Sequence, residues 1–424
     1  MKERVTADVA VVGLGPAGVA AAVRAAEAGA RVVALDDGQA PGGQIWRHPE
    51  AGRDALPAQA RHWIERLLAL PAARCRILHR TSVVDAPSRG VLTAVANEEP
   101  LRIETKATIL ATGARERFLP FPGWTLPGVL GVGGAQALVK SGASVSGLRV
   151  VIAGSGPLLL PVAATWARAG ARVECVAEQA PFARVARFAL ALLAHPGKTL
   201  EALAYRAACA GSSYRLGVWV KEVRSTERAL SVVLTDGRRA WELACDVLAC
   251  GFGLLPNLEL ARLLECRVEK GAVVVDPEQR TTVSGVFAAG EACGVGGADL
   301  ALVEGEIAAL AAVGRSPDAA ALVPRRERLR AFARKLDTAF ALRDELRSLA
   351  RSDTLVCRCE DVPLGRLRPE WTPRQAKLYT RVGMGPCQGR VCGAALETIF
   401  GWPPDTVRPP IYPVRLDTLK EADA

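Results

Sequence analysis

The most chemically specific residues of the chain are four cysteines near its end. Cys357 and Cys359 stand as CxC; after the 27 residues 360–386, Cys387 and Cys392 stand as CxxxxC inside GMGPCQGRVCG, residues 383–393. That stretch has only Met384 and Val391 as sizeable apolar residues, so burial is a poor reason for its thiols and a ligand is a better one. Four thiolates suit a 2Fe-2S cluster, two on each iron, and glycine-rich loops let backbone N–H groups turn toward sulfur. Structural zinc also takes four cysteines, but its usual knuckles are Cys-x2–4-Cys, and a CxC pair on one metal is cramped. Zinc and empty packed thiols are the rival readings.

A second kind of chemistry is written in glycine. ADVAVVGLGPAGVAAAVRAAEAGARVVALDD, residues 7–37, reads as buried strand, glycine turn, amphipathic helix and second strand, with Gly13, Gly15 and Gly18 in the GxGxxG frame around Pro16 and Ala17. Gly13 permits the tight turn, Gly15 lets backbone approach a pyrophosphate at the helix N-terminus, and Gly18 lets helix and strand touch. Asp36 ends the second strand, where a carboxylate meets a ribose; its neighbour Asp37 is the poorer choice.

Three further stretches resemble the two-dinucleotide-binding-domain flavoproteins such as the thioredoxin reductase group. PGGQIWR at 41–47 carries Gly42, Gly43, Gln44 and Arg47. ILATG at 109–113 ends in Ala111, Thr112 and Gly113. VSGVFAAGEACGVGGADLALVEGE at 283–306 carries Gly290 and Glu291, with Glu where those relatives usually have Asp. The resemblance implies FAD, with Glu291 reaching the ribityl chain. A second nucleotide-type unit follows the pattern at LRVVIAGSGPLLLPVAATWARAGARVECVAE, 148–178, with Gly154, Gly156 and Glu178. Its third motif position is Leu159, which should hold helix and strand further apart and place a pyrophosphate less well. Glu178 suits the ribose of NAD and disfavours NADP, so NAD, another adenine nucleotide and an empty site all stay open. Cys175, Cys209, Cys245 and Cys250 form no CxxC, which excludes a thioredoxin reductase.

These motifs need an α/β frame: two Rossmann-like dinucleotide-binding domains and a small, α-rich C-terminal 2Fe-2S domain. The expected boundaries are 1–122 and 272–318 for the FAD-binding domain, 123–271 for the inserted NAD-type domain, and 353–412 for the cluster domain, with 413–424 as a tail. The linker 319–352 spaces Leu329, Phe332, Leu336, Phe340, Leu346 and Leu349 at helical intervals, predicting a packed helical connector whose arginines face outward. The span 353–412 resembles the iron-sulfur domain of bacterioferritin-associated ferredoxin.

The whole order resembles one family, the alpha-type flavin and iron-sulfur component of heteromeric bacterial flavin amine and imino-acid dehydrogenases. Its members include the corresponding components of octopine and nopaline oxidases, D-hydroxyproline dehydrogenase and the hydrogen cyanide synthase flavoprotein subunit. PGGQIWR, PFPGWTLPGV, GEACGVGGADLALVEGE and GMGPCQGRVCG carry the likeness. It implies that an opine, amine or imino acid is oxidised on a partner resembling D-amino-acid oxidase, and that this subunit takes the electrons. It leaves open an FMN at the partner interface and a small ferredoxin-like third subunit. No substrate-oxidising catalytic residue is expected here, and His48, His62, His79 and His195 sit in unrelated contexts. A self-contained NADH-dependent reductase and a structural nucleotide-binding scaffold are the alternatives.

Composition sets outer limits. The chain has 424 residues, 50% apolar and 23% charged, the balance of a globular enzyme. Its net charge of +10 comes from scattered arginine without a Lys/Arg run of the kind that meets nucleic acid or lipid. Eleven cysteines without a secretion signal, Asp8 interrupting the apolar N-terminus, predict a reducing, cytoplasmic setting. Residues 150–167 lack charge, but Gly154, Gly156, Pro157 and Pro161 break them, so no membrane span is expected.

Overall fold

The structure, a computed structural model, describes residues 3–47, 52, 56–403 and 407–418; His48 lies outside them. The chain forms two compact units, the first drawn from 1–115, 255–333 and 406–424, the second from 116–254 and 334–405.

The first unit is built on a seven-stranded sheet. Strands β1 (Glu3–Val12), β2 (Val32–Leu35), β3 (Cys75–Leu78), β4 (Thr81–Ser88), β5 (Val91–Ala96) and β6 (Glu99–Leu110) run in the order β3–β2–β1–β6–β5–β4. The four strands from β3 to β6 are parallel, and the late strand Val286–Ala288 adds to β6 in parallel. The apolar run at the end of β1, Val9 to Val12, is covered on both faces, which is why it does not alternate with polar residues. Helix α1 (Pro16–Glu27) buries mostly alanine. These small side chains let it lie close to the helix Ala298–Ala312, where a Cβ on Gly305 would fall 2.1 Å from the Ala17 carbonyl oxygen.

The second unit repeats the theme. Strands β7 (Val129–Gly131), β8 (Arg149–Gly154), β9 (Arg172–Glu178), β10 (Ser213–Leu216) and β11 (Val247–Gly251) make a parallel sheet in the order β10–β9–β8–β11–β7. Helix α2 (Leu159–Arg168) connects β8 to β9, and helices α3 (Phe182–Leu192) and α4 (Pro196–Ala208) connect β9 to β10. Strands Trp219–Ser225, Leu230–Thr235 and Ala240–Cys245 form an antiparallel sheet beside it. Two Rossmann-like sheets thus make the α/β frame that the glycine motifs predict.

The cysteine-bearing segment belongs to this second unit. It has its own small core around Val356, Val362 and Trp402, and helices Pro373–Thr380 and Cys392–Phe400, the first opened by a reciprocal Thr372–Gln375 cap. Trp124 Nε1 donates to the Leu355 carbonyl at 2.7 Å, tying the segment to the inserted residues.

The connector departs from the sequence expectation. The helix runs Ser316–Ala339, earlier than predicted, and Phe340–Arg343 leave it before a 3-10 turn at Asp344–Ser348. Its arginines do not all face outward. Arg326 is 3% exposed because its guanidinium meets the Pro277 carbonyl at 2.6 Å and Gln279 Oε1 at 2.9 Å. Among the described residues no helix is long and apolar enough to cross a membrane.

Candidate functional site

The first glycine turn closes by contact that only glycine allows. Gly13, at φ +96, would place a Cβ 2.3 Å from the Ala111 carbonyl oxygen, and Gly18 would place one 1.7 Å from the Gly13 oxygen. Gly15 differs, since a Cβ there meets nothing within 4 Å. It is also the N-cap of α1, with Pro16 at the first helical position, so the unpaired N–H groups of the helix start open onto that space. The PGG stretch folds against the same point: Gly42 N–H donates to the Leu14 carbonyl at 2.7 Å, and a Cβ on Gly43 would lie 2.9 Å from the Gly15 Cα. Gly290, at φ +71, approaches so closely that its Cβ would fall 2.7 Å from the Ala17 Cβ. The structure therefore brings Gly13, Gly15, Ala17, Gly18, Gly42, Gly43, Ala111 and Gly290 around one cradle.

Polar groups edge it. Asp36, buried at the end of β2, accepts the Leu14 N–H at 2.5 Å and the Gly38 N–H at 2.7 Å. Arg47 donates to Gln44 Oε1 at 2.6 Å, while its Nε is buried without a partner among the described residues. Glu291 is half-buried, and its carboxylate has no hydrogen-bond partner among the described residues; burial pushes its pKa up. An open helix start, an orphaned guanidinium nitrogen and an orphaned carboxyl fit the pyrophosphate and hydroxyls of FAD.

Two supports escape the sequence reading. Glu304, 1% exposed, accepts the Gly290 N–H at 2.9 Å and pairs with Arg330 at 2.8 Å, so it holds the Gly290–Glu291 turn in place. Burial pushes its carboxyl up against the pull of Arg330. Asn257 donates to the Thr112 carbonyl at 2.9 Å and accepts from Thr112 Oγ1 through its own carbonyl at 2.8 Å, while its N–H bonds Gly113 at 3.0 Å. The signal for Glu304 is its place in VEGE, one helix after Glu291; nothing near Asn257 marks it beyond LLPN.

The second turn is built otherwise. Gly154, at φ +139, would set a Cβ 1.7 Å from the Gly251 oxygen, and Gly156 has open space around it. However, α2 starts only at Leu159, three residues after Gly156, with Leu159 buried in the core. Glu178 is wholly buried; it accepts the Gly156 N–H and the Ala180 N–H, each at 2.8 Å, and burial pushes its carboxyl up to about 7.

The four cysteines form two pairs, Cys357 with Cys392 and Cys359 with Cys387. The Cys392 thiol and the N–H groups of Gly383, Glu360 and Cys359 point at the Cys357 sulfur, holding its pKa down despite burial. Gly385 allows the loops to meet, since a Cβ there would fall 2.2 Å from the Cys359 Cβ. Among the described residues no three His, Cys, Asp or Glu gather as a site for a single metal ion. The donor set, four thiols contributed as two pairs with N–H groups turned to sulfur, fits a binuclear cluster.

The pyridine nucleotide-disulphide oxidoreductase family model matches residues 7–316. An opine oxidase subunit of Rhizobium meliloti is 31% identical, covering 98% of this chain and 87% of its own. Hydrogen cyanide synthase subunit HcnB of Pseudomonas aeruginosa is 32% identical, covering 90% of each. Among solved structures, L-proline dehydrogenase from P. horikoshii matches with a TM-score of 0.66 at 21% identity, over 99% of this chain and 80% of that one, a likeness of fold.

Proposed function

The chain belongs to the pyridine nucleotide-disulphide oxidoreductase family, with near full-length relatives among the subunits of opine oxidase and of hydrogen cyanide synthase, and from that premise we propose that it is the electron-transfer flavoprotein subunit of a heteromeric dehydrogenase. An opine, D-hydroxyproline or a related amine or imino acid is oxidised on a companion subunit resembling D-amino-acid oxidase. Family membership implies FAD. Gly15 leaves room for its pyrophosphate while Gly13, Gly18, Gly42 and Gly43 let the chain close around that space, Asp36 and Glu291 meet its hydroxyls, and Thr112 and Gly113 are fixed by Asn257 beside it. Cys357, Cys359, Cys387 and Cys392 hold a 2Fe-2S cluster. Bound flavin trades electrons in pairs or singly and such a cluster one at a time, so the two together convert a two-electron donor to a one-electron acceptor.

The observation that carries this reading is the presence in one chain of the open Gly15 cradle and of four thiols paired across glycine loops. Copurification of the native complex with flavin and iron analysis tests it. A companion subunit, FAD and iron at about two atoms per chain are expected. Cys387→Ser should remove the iron and leave FAD bound; iron surviving that replacement, or zinc without iron in anaerobically purified protein, contradicts the cluster.

A further inference from the structure

The second dinucleotide fold is not left open at the ends of its strands. In parallel α/β sheets a dinucleotide lies outside the carboxyl ends of the strands, against the glycine turn and the residues after the next strand. Here those positions are Ser155, after β8, and Gln179, after β9, and both are bonded to the chain's own segment. Ser155 Oγ donates to the Phe340 carbonyl at 2.8 Å. Gln179 Nε2 donates to Ser155 Oγ at 2.8 Å and to the Ala341 carbonyl at 3.3 Å, and Gln179 Oε1 accepts the Arg343 N–H at 3.1 Å. Gln179 is wholly buried and Ser155 nearly so.

The segment is anchored on both sides of these bonds. Phe340 stacks edge-on against Phe188 of α3 with ring centroids 5.6 Å apart, and Arg184 donates to the Ala341 carbonyl at 3.2 Å. The Arg343 guanidinium lies 4.3 Å over the Trp219 ring, and Leu346, 2% exposed, enters the core that contains Val151 and Cys175. Ser155 and Gln179, the polar side chains beside the glycine turn and Glu178, are thus already satisfied by each other and by backbone carbonyls and an N–H of 340–343.

We propose that residues 340–343 are a built-in occupant of the adenosine half of the second dinucleotide fold, making Ser155, Gln179 and Phe340 the residues that deny nicotinamide nucleotides entry to this chain. The proposal rests on the reading of the chain as a flavoprotein oxidoreductase, and it holds whether or not the four cysteines carry a cluster. A retained Rossmann-like sheet then serves as scaffold for the segment rather than as a donor site. A ligand would have to break these hydrogen bonds and lift Phe340, so its apparent affinity falls by the fraction of molecules in which the segment is displaced.

Calorimetric titration of the FAD-loaded full chain with ADP and with NADH tests this, beside the Gln179→Ala/Phe340→Ala variant, which keeps the Leu346 anchor. The wild type should give no heat of binding. The variant, with FAD content and melting temperature near wild type, should gain affinity by about ten-fold or more. Wild-type binding that Gly156→Val removes, or a folded variant without any gain, overturns the proposal. Hydrogen exchange on the wild type gives a second readout should the variant fold poorly. The Arg343 amide should stay protected at saturating ADP, and its deprotection by ADP means the segment yields to nucleotide and is no barrier. Loss of iron in Cys387→Ser moves none of these readouts, so the two readings fail separately.

Discussion

The two glycine turns share a strand, a GxG and an acidic strand end, yet they do opposite things. In the first, α1 starts at once after Gly15 and its free N–H groups face open space, while Asp36 closes the turn at the edge. In the second, α2 starts only at Leu159, three residues after Gly156, and Phe340–Arg343 take the hydrogen bonds of Ser155 and Gln179. A motif therefore marks a turn, whereas a site also needs a helix start and unspent polar groups.

Gly15→Val should have the largest effect on that contrast. Gly15 has φ −69 and no neighbour within 4 Å of a Cβ, so valine fits the apoprotein and projects into the pyrophosphate path. FAD content at purification should fall at least about ten-fold, 1.4 kcal/mol or more of binding, with the fold retained. Normal flavin occupancy contradicts the cradle. Glu304→Ala comes next. It leaves Arg330, mostly buried, without its carboxylate and frees the Gly290 N–H, costing about 3–5 kcal/mol in denaturant unfolding. An unchanged unfolding midpoint rules out the support assigned to Glu304.

The smallest effect belongs to the second turn and depends on pH. Glu178 has its carboxyl raised from 4.5 to about 7, so the folded chain keeps a proton that the unfolded chain releases. Stability therefore falls as pH rises from 4.5 to about 7, by up to about 3 kcal/mol, and levels off above. Glu178→Gln keeps the acceptor for one of its two N–H partners and should flatten that slope in melting curves between pH 5 and 8. The same slope in the variant shows that other groups set it.

Much of this is legible in the sequence because glycine spacing encodes backbone contact directly. Gly13, Gly18, Gly43 and Gly290 each sit where a Cβ would collide, and the apolar runs at 9–12 and 109–111 betray parallel strands covered on both faces. What escapes depends on contacts distant in the chain. Glu304 reaches back to Gly290 from the next helix, and Asn257 clamps Thr112 across 145 positions. Helical periodicity carries the connector past Ala339, but hydrogen bonds to Ser155 and Gln179 pull Phe340–Arg343 out of the helix. The motif spacing points to Leu159 as the flaw of the second turn, whereas the structure places the larger obstacle in Phe340–Arg343, far along the chain.

Anaerobic stopped-flow mixing of the purified, FAD-loaded chain with NADH tests most directly whether electrons enter through a companion subunit rather than a nicotinamide nucleotide. The flavin absorbance should persist with NADH and bleach with dithionite. Rapid, saturable bleaching by NADH would contradict the account and establish the self-contained reductase.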